Sequence, residues 1–140
     1  VDVADMKEFN ENLIAEYRAN GGKVEGQFAK SPLMLLTTTG AKSGRAHTTP
    51  VVYTTDGDRL VIIASKGGAP TNPAWYHNLV AHPTATVELG TEKFDVDAKV
   101  AKGEERDRLY GHQAELMPGF AEYQAKTTRV IPVIKLTRKS

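Results

Sequence analysis

Apolar residues return at helical spacing at the start of the chain. Val3, Met6, Phe9, Leu13, Ile14 and Tyr17 share one face, with charged residues opposite. This predicts a helix over residues 3–20, ended by the Gly21–Gly22 pair. Residues 23–31 read as a connector, and from there the period shortens. Residues 33–38 form an apolar strand, and residues 48–55, rich in Val and Thr, a second. Asp56-Gly57 is a tight-hairpin signal, so residues 59–64 read as the returning strand. Asn72-Pro73 opens a short helix to about residue 81, with Pro73 suited to a first helical turn. Residues 84–89 and 93–101 form another hairpin around Gly90. Residues 103–117 and 120–126 are helical, and 131–137 is a final strand.

Six strands arriving mostly as hairpins, rather than in βαβ alternation, argue against a Rossmann or P-loop sheet. They predict one α+β, mainly β domain over 1–140: a helix over 1–22, then a small antiparallel barrel with peripheral helices over 32–138. At 140 residues the chain is long enough to build a core without staples.

Composition narrows the chemistry. There is no cysteine, which excludes a disulfide scaffold, an iron–sulfur cluster, a thiolate zinc site and a thiol nucleophile. His77 and His82 are five apart and do not share a helix face, so no metal is expected. No apolar run approaches the roughly 20 residues of a membrane span. The N-terminal helix is acidic (Asp2, Asp5, Glu8, Glu11 and Glu16 against Lys7 and Arg18), unlike a signal peptide or an anionic-lipid anchor. A cytoplasmic location is expected, with peripheral membrane contact left open.

The net charge of +1 conceals an asymmetry. Between Gly26 and Val87 the only acids are Asp56 and Asp58, against Lys30, Lys42, Arg45, Arg59 and Lys66. Three of the four histidines, His47, His77 and His82, lie there as well. A locally basic middle between acidic flanks suits an anionic ligand. Aromatic residues do not interleave with cations along the strands, so nucleic acid is not the expected partner.

Four loop clusters carry candidate chemistry. Gly40-Ala41-Lys42-Ser43-Gly44-Arg45-Ala46-His47 can offer N–H groups and cations to a phosphate. It is not a P-loop: the leading glycine is missing and a strand follows. Ala64-Ser65-Lys66-Gly67-Gly68 is a strand end small enough for a flat ring to approach. Asn72-Pro73-Ala74-Trp75-Tyr76-His77-Asn78 holds the only tryptophan, which reads equally as a plug for the barrel end. In Met117-Pro118-Gly119-Phe120-Ala121-Glu122-Tyr123 the two aromatics share a face and could form a lid or pack on the core.

In this order, the stretches LLTTTGAKSGRAHTTPVVY, ASKGGAPTNPAWYHNL and MPGFAEYQAKTTRVIPVIKL resemble the deazaflavin (coenzyme F420)-dependent nitroreductase family. The resemblance runs from about Leu33 to Leu136. It implies a split β-barrel related to FMN-binding barrels, and hydride transfer from reduced F420 to an electron-poor acceptor. It also implies roles. Lys42, Ser43, Arg45 and His47 would line the phosphate and the acidic oligoglutamate tail, and Pro50 and Val52 would flank the ring. Ala64, Ser65, Lys66 and Gly67 would contact the ring edge and phosphate. Asn72, Pro73, Trp75, Tyr76 and Asn78 would shape the pocket. Val52, Met117, Phe120 and Tyr123 would meet substrate, with Ser65 and Tyr123 as catalytic candidates. Ala41 and His47 stand where nitroimidazole-reducing relatives often carry basic residues, and Val52, Met117 and Phe120 where they carry tyrosines. The expected acceptor is therefore a conjugated C=C of a lactone or enone, a quinone or a nitroaromatic, with bicyclic nitroimidazoles not carried over. A non-catalytic F420 carrier and an FMN-dependent or haem-handling split barrel are the alternatives. Oligomeric state is not readable.

Overall fold

The computed structural model describes residues 3–26, 32–68 and 71–139. The order is α1 (Val3–Ala19), β1 (Leu33–Thr39), β2 (Ala46–Asp56), β3 (Arg59–Ile63), a 3₁₀ turn (Lys66–Gly68), α2 (Ala74–Ala81), β4 (Thr84–Leu89), β5 (Glu92–Val100), α3 (Gly103–Leu116), α4 (Gly119–Ala125) and β6 (Val133–Arg138). The strands close into an antiparallel barrel in the order β1-β2-β3-β6-β5-β4, with β4 returning to β1.

Side-chain alternation sorts the strands' apolar residues into an inside and an outside. Met34, Leu36, Leu60, Ile62, Val87, Val96, Ile134 and Leu136 fill the interior, and Trp75 and Leu79 of α2 pack into the same cluster. On the outer face, Val61, Ile63 and Val133 meet Leu109 and Tyr110 of α3, with Phe120 and Tyr123 of α4 at the edge. A separate outer cluster joins Leu33 and Leu35 to Leu13 and Tyr17 of α1. The Tyr17 hydroxyl fixes that helix: it accepts from the Gly90 N–H at 2.8 Å and lies 3.1 Å from the Leu33 carbonyl. Burial pushes its pKa up.

The hydrophobic pattern over-reads α1. Phe9 is 47% exposed, and among the described side chains of α1 the buried ones, Leu13 and Tyr17, lie in the two turns that follow it. The side chains of Val3 and Met6 and residues 27–31 of the connector lie outside those described. Most boundaries differ from expectation by one or two residues. α2 starts at Ala74, with Pro73 extended at its N-cap. β2 runs on to Ala46, which pairs with Thr39. The final strand begins at Val133 rather than 131.

An ion network ties the β2–β3 hairpin and β6 to α3. Asp56 accepts from Arg59 and from Arg108 (3.1 and 3.3 Å). Glu105 accepts from Lys135 (2.6 Å) and Arg59. The two guanidiniums, Arg108 first, hold the Asp56 carboxyl at about 2, below its ordinary 3.8. A depressed carboxylate contributes stability that is present above the unfolded pKa and lost as pH falls through the folded one. Stability is therefore expected to decline between pH 4 and 2. Asp56→Asn should lie lower at neutral pH and decline less steeply there, as read by urea midpoints across that range. Parallel declines in the two proteins would remove Asp56 from the acid response.

Candidate functional site: the split between β2 and the end of β3

The eleven residues of β2 do not pair evenly. Residues 46–52 pair with β1, whereas β3 joins β2 only along Tyr53–Asp56. Among the described residues, the first half of β2 therefore has no strand beside it on the side away from β1. The strands still close into a barrel, but this stretch of β2 edge is uncovered, and the gap beside it is the split of the barrel wall. The Tyr53 N–H donates to the Pro32 carbonyl and the Gly40 N–H to the Arg45 carbonyl, so odd-numbered residues point their backbone toward β1. By alternation, Thr48 and Pro50 point theirs into the split. That accounts for a proline inside a strand: at Pro50 no ladder N–H is required. Residues 48–53 are all half-buried.

One rim of the split is the 40–45 turn. The Asn78 carboxamide, itself buried, holds it from below. Its Oδ1 accepts from the Ala41 N–H and its Nδ2 donates to Thr38 Oγ1, each at 3.0 Å. A β-carbon on Gly40 would collide with Ser43 Oγ and lie 3.0 Å from His47 Nε2, so a larger residue there would displace those two side chains. Ser43 Oγ accepts from the Arg45 N–H at 3.2 Å and lies 3.5 Å from His47 Nε2. Lys42, Ser43, Arg45 and His47 are exposed.

The opposite rim is the end of β3. The Ala64 N–H donates to the Pro132 carbonyl, and the chain then turns so that the Gly68 N–H donates to the Ser65 carbonyl, both at 3.0 Å. Lys66 adopts φ +49°, a left-handed value costly for a side-chain-bearing residue, as is common at functional sites. Its ammonium lies 3.4 Å from Thr71 Oγ1, and Gly67 is the middle residue of the turn. Ser65 is buried.

The expected site residues fall into three groups. Lys42, Ser43, Arg45 and His47 form one rim, Ser65, Lys66 and Asn72 the other, with Pro50 between. Ala64 and Trp75 belong to the interior cluster, with Pro73 at the N-cap of α2 and Tyr76 half-buried against that cluster. Both polar ends of Asn78 are engaged within the protein, so its place is beneath the turn. The substrate candidates divide across the outer face of β2. Val52 packs beside the α1 cluster, while Phe120 and Tyr123 pack against the α3 cluster in an edge-to-face pair with centroids 5.2 Å apart. The Met117 carbonyl accepts from the Phe120 N–H at 3.0 Å.

Two residues escaped the sequence reading. Arg129, in the loop after α4, donates from Nη1 to Asn72 Oδ1 at 2.7 Å and from Nη2 to the Ser65 carbonyl at 2.8 Å. It is separated from them by more than fifty residues, so no local signal announces it. Gln113 of α3 is fully buried and accepts from the Thr54 hydroxyl at 3.2 Å, while its Nε2 has no partner among the described residues. Its helical spacing from Leu109 was the only available hint. Among the described residues no group of His, Asp and Glu could hold a metal ion, and no helix is long and apolar enough to cross a membrane.

Comparison with known proteins gives concordant results. A family model described as F420H(2)-dependent quinone reductase matches residues 10–138. An F420H(2)-dependent quinone reductase of Mycobacterium tuberculosis is 40% identical over 129 residues, 89% of this chain and 87% of the relative. The solved structure of an F420-H2 dependent reductase (FDR-A) is 42% identical, with a TM-score of 0.69, over 75% of this chain and 93% of that one. A structure described as a domain-swapped dimer is 36% identical, with a TM-score of 0.71, over 96% and 99% of the two chains.

Proposed function

The chain belongs to the F420H(2)-dependent quinone reductase family, and on that premise we propose that the split of its barrel is where reduced F420 and a quinone meet. The carrying observation is the free edge of β2 over residues 46–52, set beside a turn that bears Lys42 and Arg45. When bound, the reduced deazaflavin supplies the hydride, and the protein's task is to bind, orient and exclude water.

The residues present suit that group. A phosphate and a run of carboxylates need cations and N–H donors, and the exposed Lys42, Ser43, Arg45 and His47 offer both around the 40–45 turn. A flat polar ring needs donors and acceptors along one edge with little side-chain bulk. The backbone of Thr48 and the Pro50 carbonyl, facing the small Ser65–Gly68 turn, meet that need. The buried hydroxyl of Ser65 and the half-buried phenol of Tyr123 are the two candidate proton donors nearest the β3 end of this region. On the outer face, Val52, Met117 and Phe120 offer apolar surface and no phenol, which favours a quinone over an acceptor that must be held by several hydrogen bonds.

The test is fluorescence titration of F420 into the protein, with F420H2 oxidation followed over quinones, enones and nitroaromatics. Lys42→Glu should weaken F420 binding by about tenfold at low salt, since charge-assisted contacts to phosphate are among the stronger ones. The difference should shrink above ~0.1 M salt, where the screening length falls below about 10 Å. Equal affinity for mutant and wild type at low salt would remove the 40–45 turn from the cofactor site.

A further inference from the structure

We infer that Arg129 is a positioning residue of the reductase site, one that sets the shape of the β3 rim. The inference rests on the assignment of the split as the cofactor site. Past Ile63 the Ala64 N–H still donates to the Pro132 carbonyl, but Pro132 has no N–H to return, so the Ala64 carbonyl lacks its ladder donor, and the Ser65 carbonyl, beyond the strand, accepts one bond from the Gly68 N–H. A polar backbone group removed from water needs a partner. Arg129 Nη2 donates to both carbonyls, at 3.2 Å (Ala64) and 2.8 Å (Ser65), while Nη1 holds Asn72 Oδ1 at 2.7 Å. One planar fork thus joins the end of β3 to the segment that precedes α2, on either side of the Lys66–Gly68 turn.

The fork is itself braced. The Arg129 carbonyl accepts from Gln124 Nε2 at 2.8 Å. Gln124 Oε1 accepts from Arg106 Nη2 at 2.7 Å and from the Ile131 N–H at 3.1 Å. Arg106 also donates to the Ile131 carbonyl and lies 4.6 Å over the Tyr110 ring. A line of hydrogen bonds therefore runs from α3 through α4 to the rim. Such a line satisfies the backbone carbonyls of Ser65, Ile131 and Arg129 and so holds their segments in one arrangement. It fits a turn that must hold one shape, including the left-handed Lys66. A lysine in place of Arg129 keeps the charge but cannot supply a rigid, multi-donor fork.

The experiment compares wild type, Arg129→Lys and Arg129→Ala by F420 titration, by steady-state quinone reduction and by amide hydrogen exchange. The exchange probe is the Gly68 N–H, whose acceptor is the Ser65 carbonyl. Both variants are expected to bind F420 about tenfold or more weakly, as for loss of hydrogen bonds to a charged group. The Gly68 amide should exchange faster, and the F420 Kd should rise by a larger factor than the quinone KM, because most of the contacts assigned to this rim are to the cofactor. Wild-type affinity in Arg129→Lys would show that charge alone suffices and would overturn the inference. So would unchanged Gly68 exchange in both variants. If Arg129→Ala fails to fold, Arg129→Lys decides. Failure of the wild type to bind F420 defeats the functional reading instead. The exchange comparison then judges Arg129 by itself.

Discussion

Asn78→Leu is expected to cost about 2–4 kcal/mol of stability, because it orphans a buried hydroxyl and a backbone N–H at once. Leucine is nearly isosteric, so the loss will not come from a cavity. Thr38 Oγ1, 2% exposed, would lose its donor, and the Ala41 N–H its acceptor. The second loss matters for binding. The Ala41 bond pins the turn that carries Lys42, Ser43 and Arg45, and a loosened turn must be reordered whenever an anion binds. F420 affinity should therefore fall by about tenfold or more, beyond what the stability loss alone explains. Urea unfolding, and F420 titration without urea where the mutant is fully folded, separate the two effects. Asn78→Asp sharpens the point. It keeps an acceptor for Ala41 but sets a carboxylate beneath the cations, so its affinity loss should ease with added salt whereas that of Asn78→Leu should not. A salt-independent loss in both would mean that Asn78 acts only through folding.

The sequence exposed the scaffold because the scaffold is written locally. Asp56-Gly57 and Gly90 mark hairpins, and the apolar run from Leu33 marks a strand, although four successive apolar residues do not tell that Met34 and Leu36 face inward and Leu33 and Leu35 outward. Pro73 and the glycine pair after α1 mark helix ends by backbone chemistry that needs no partner. The basic middle was legible for the same reason, since charge is a property of the residues and not of their arrangement. The motif resemblance then supplied the cofactor class, which the family match bears out.

What remained hidden depends on register. Pro50 reads as a flaw in a strand until the pairing shows that its nitrogen faces the split. Nothing in a one-dimensional pattern tells which strand edge is unpaired. Trp75 and Asn78 share a motif with Asn72 yet serve differently: one fills the barrel, one props a turn, and one meets Arg129. Arg129 and Gln113 were missed outright. Their partners lie 57 to 65 and 59 residues away, and only the closed barrel brings them together. Phe9 was mistaken in the opposite sense, because helical spacing says which face it occupies but not whether the barrel extends beneath it.

Gly68→Ala is expected to be the most damaging small substitution at the site. Gly68 has φ +84°, a left-handed value that alanine adopts only with strain. Its added β-carbon would also lie 2.9 Å from the Tyr123 carbonyl oxygen and 3.2 Å from the Tyr123 Cα. Those are backbone atoms and cannot swing aside, so either α4 or the Lys66–Gly68 turn must move. If α4 yields, Phe120 and Tyr123 shift with it and the quinone KM rises. If the turn yields, Ser65 and Lys66 move and F420 binding weakens. The control is Gly44→Ala, in the opposite rim. Its φ is +69°, but nothing lies within 4 Å of the new carbon. Gly44→Ala pays only the conformational penalty, about 1–2 kcal/mol for a left-handed residue. Gly68→Ala adds a backbone clash and should exceed it by at least about 1 kcal/mol in urea unfolding. It should also raise either the F420 Kd or the quinone KM by about tenfold, and which of the two rises identifies the wall that gave way. Equal stability losses in the two variants, with both constants unmoved, would mean that the turn and α4 are free to part without consequence, and that the β3 rim has no fixed shape to impose.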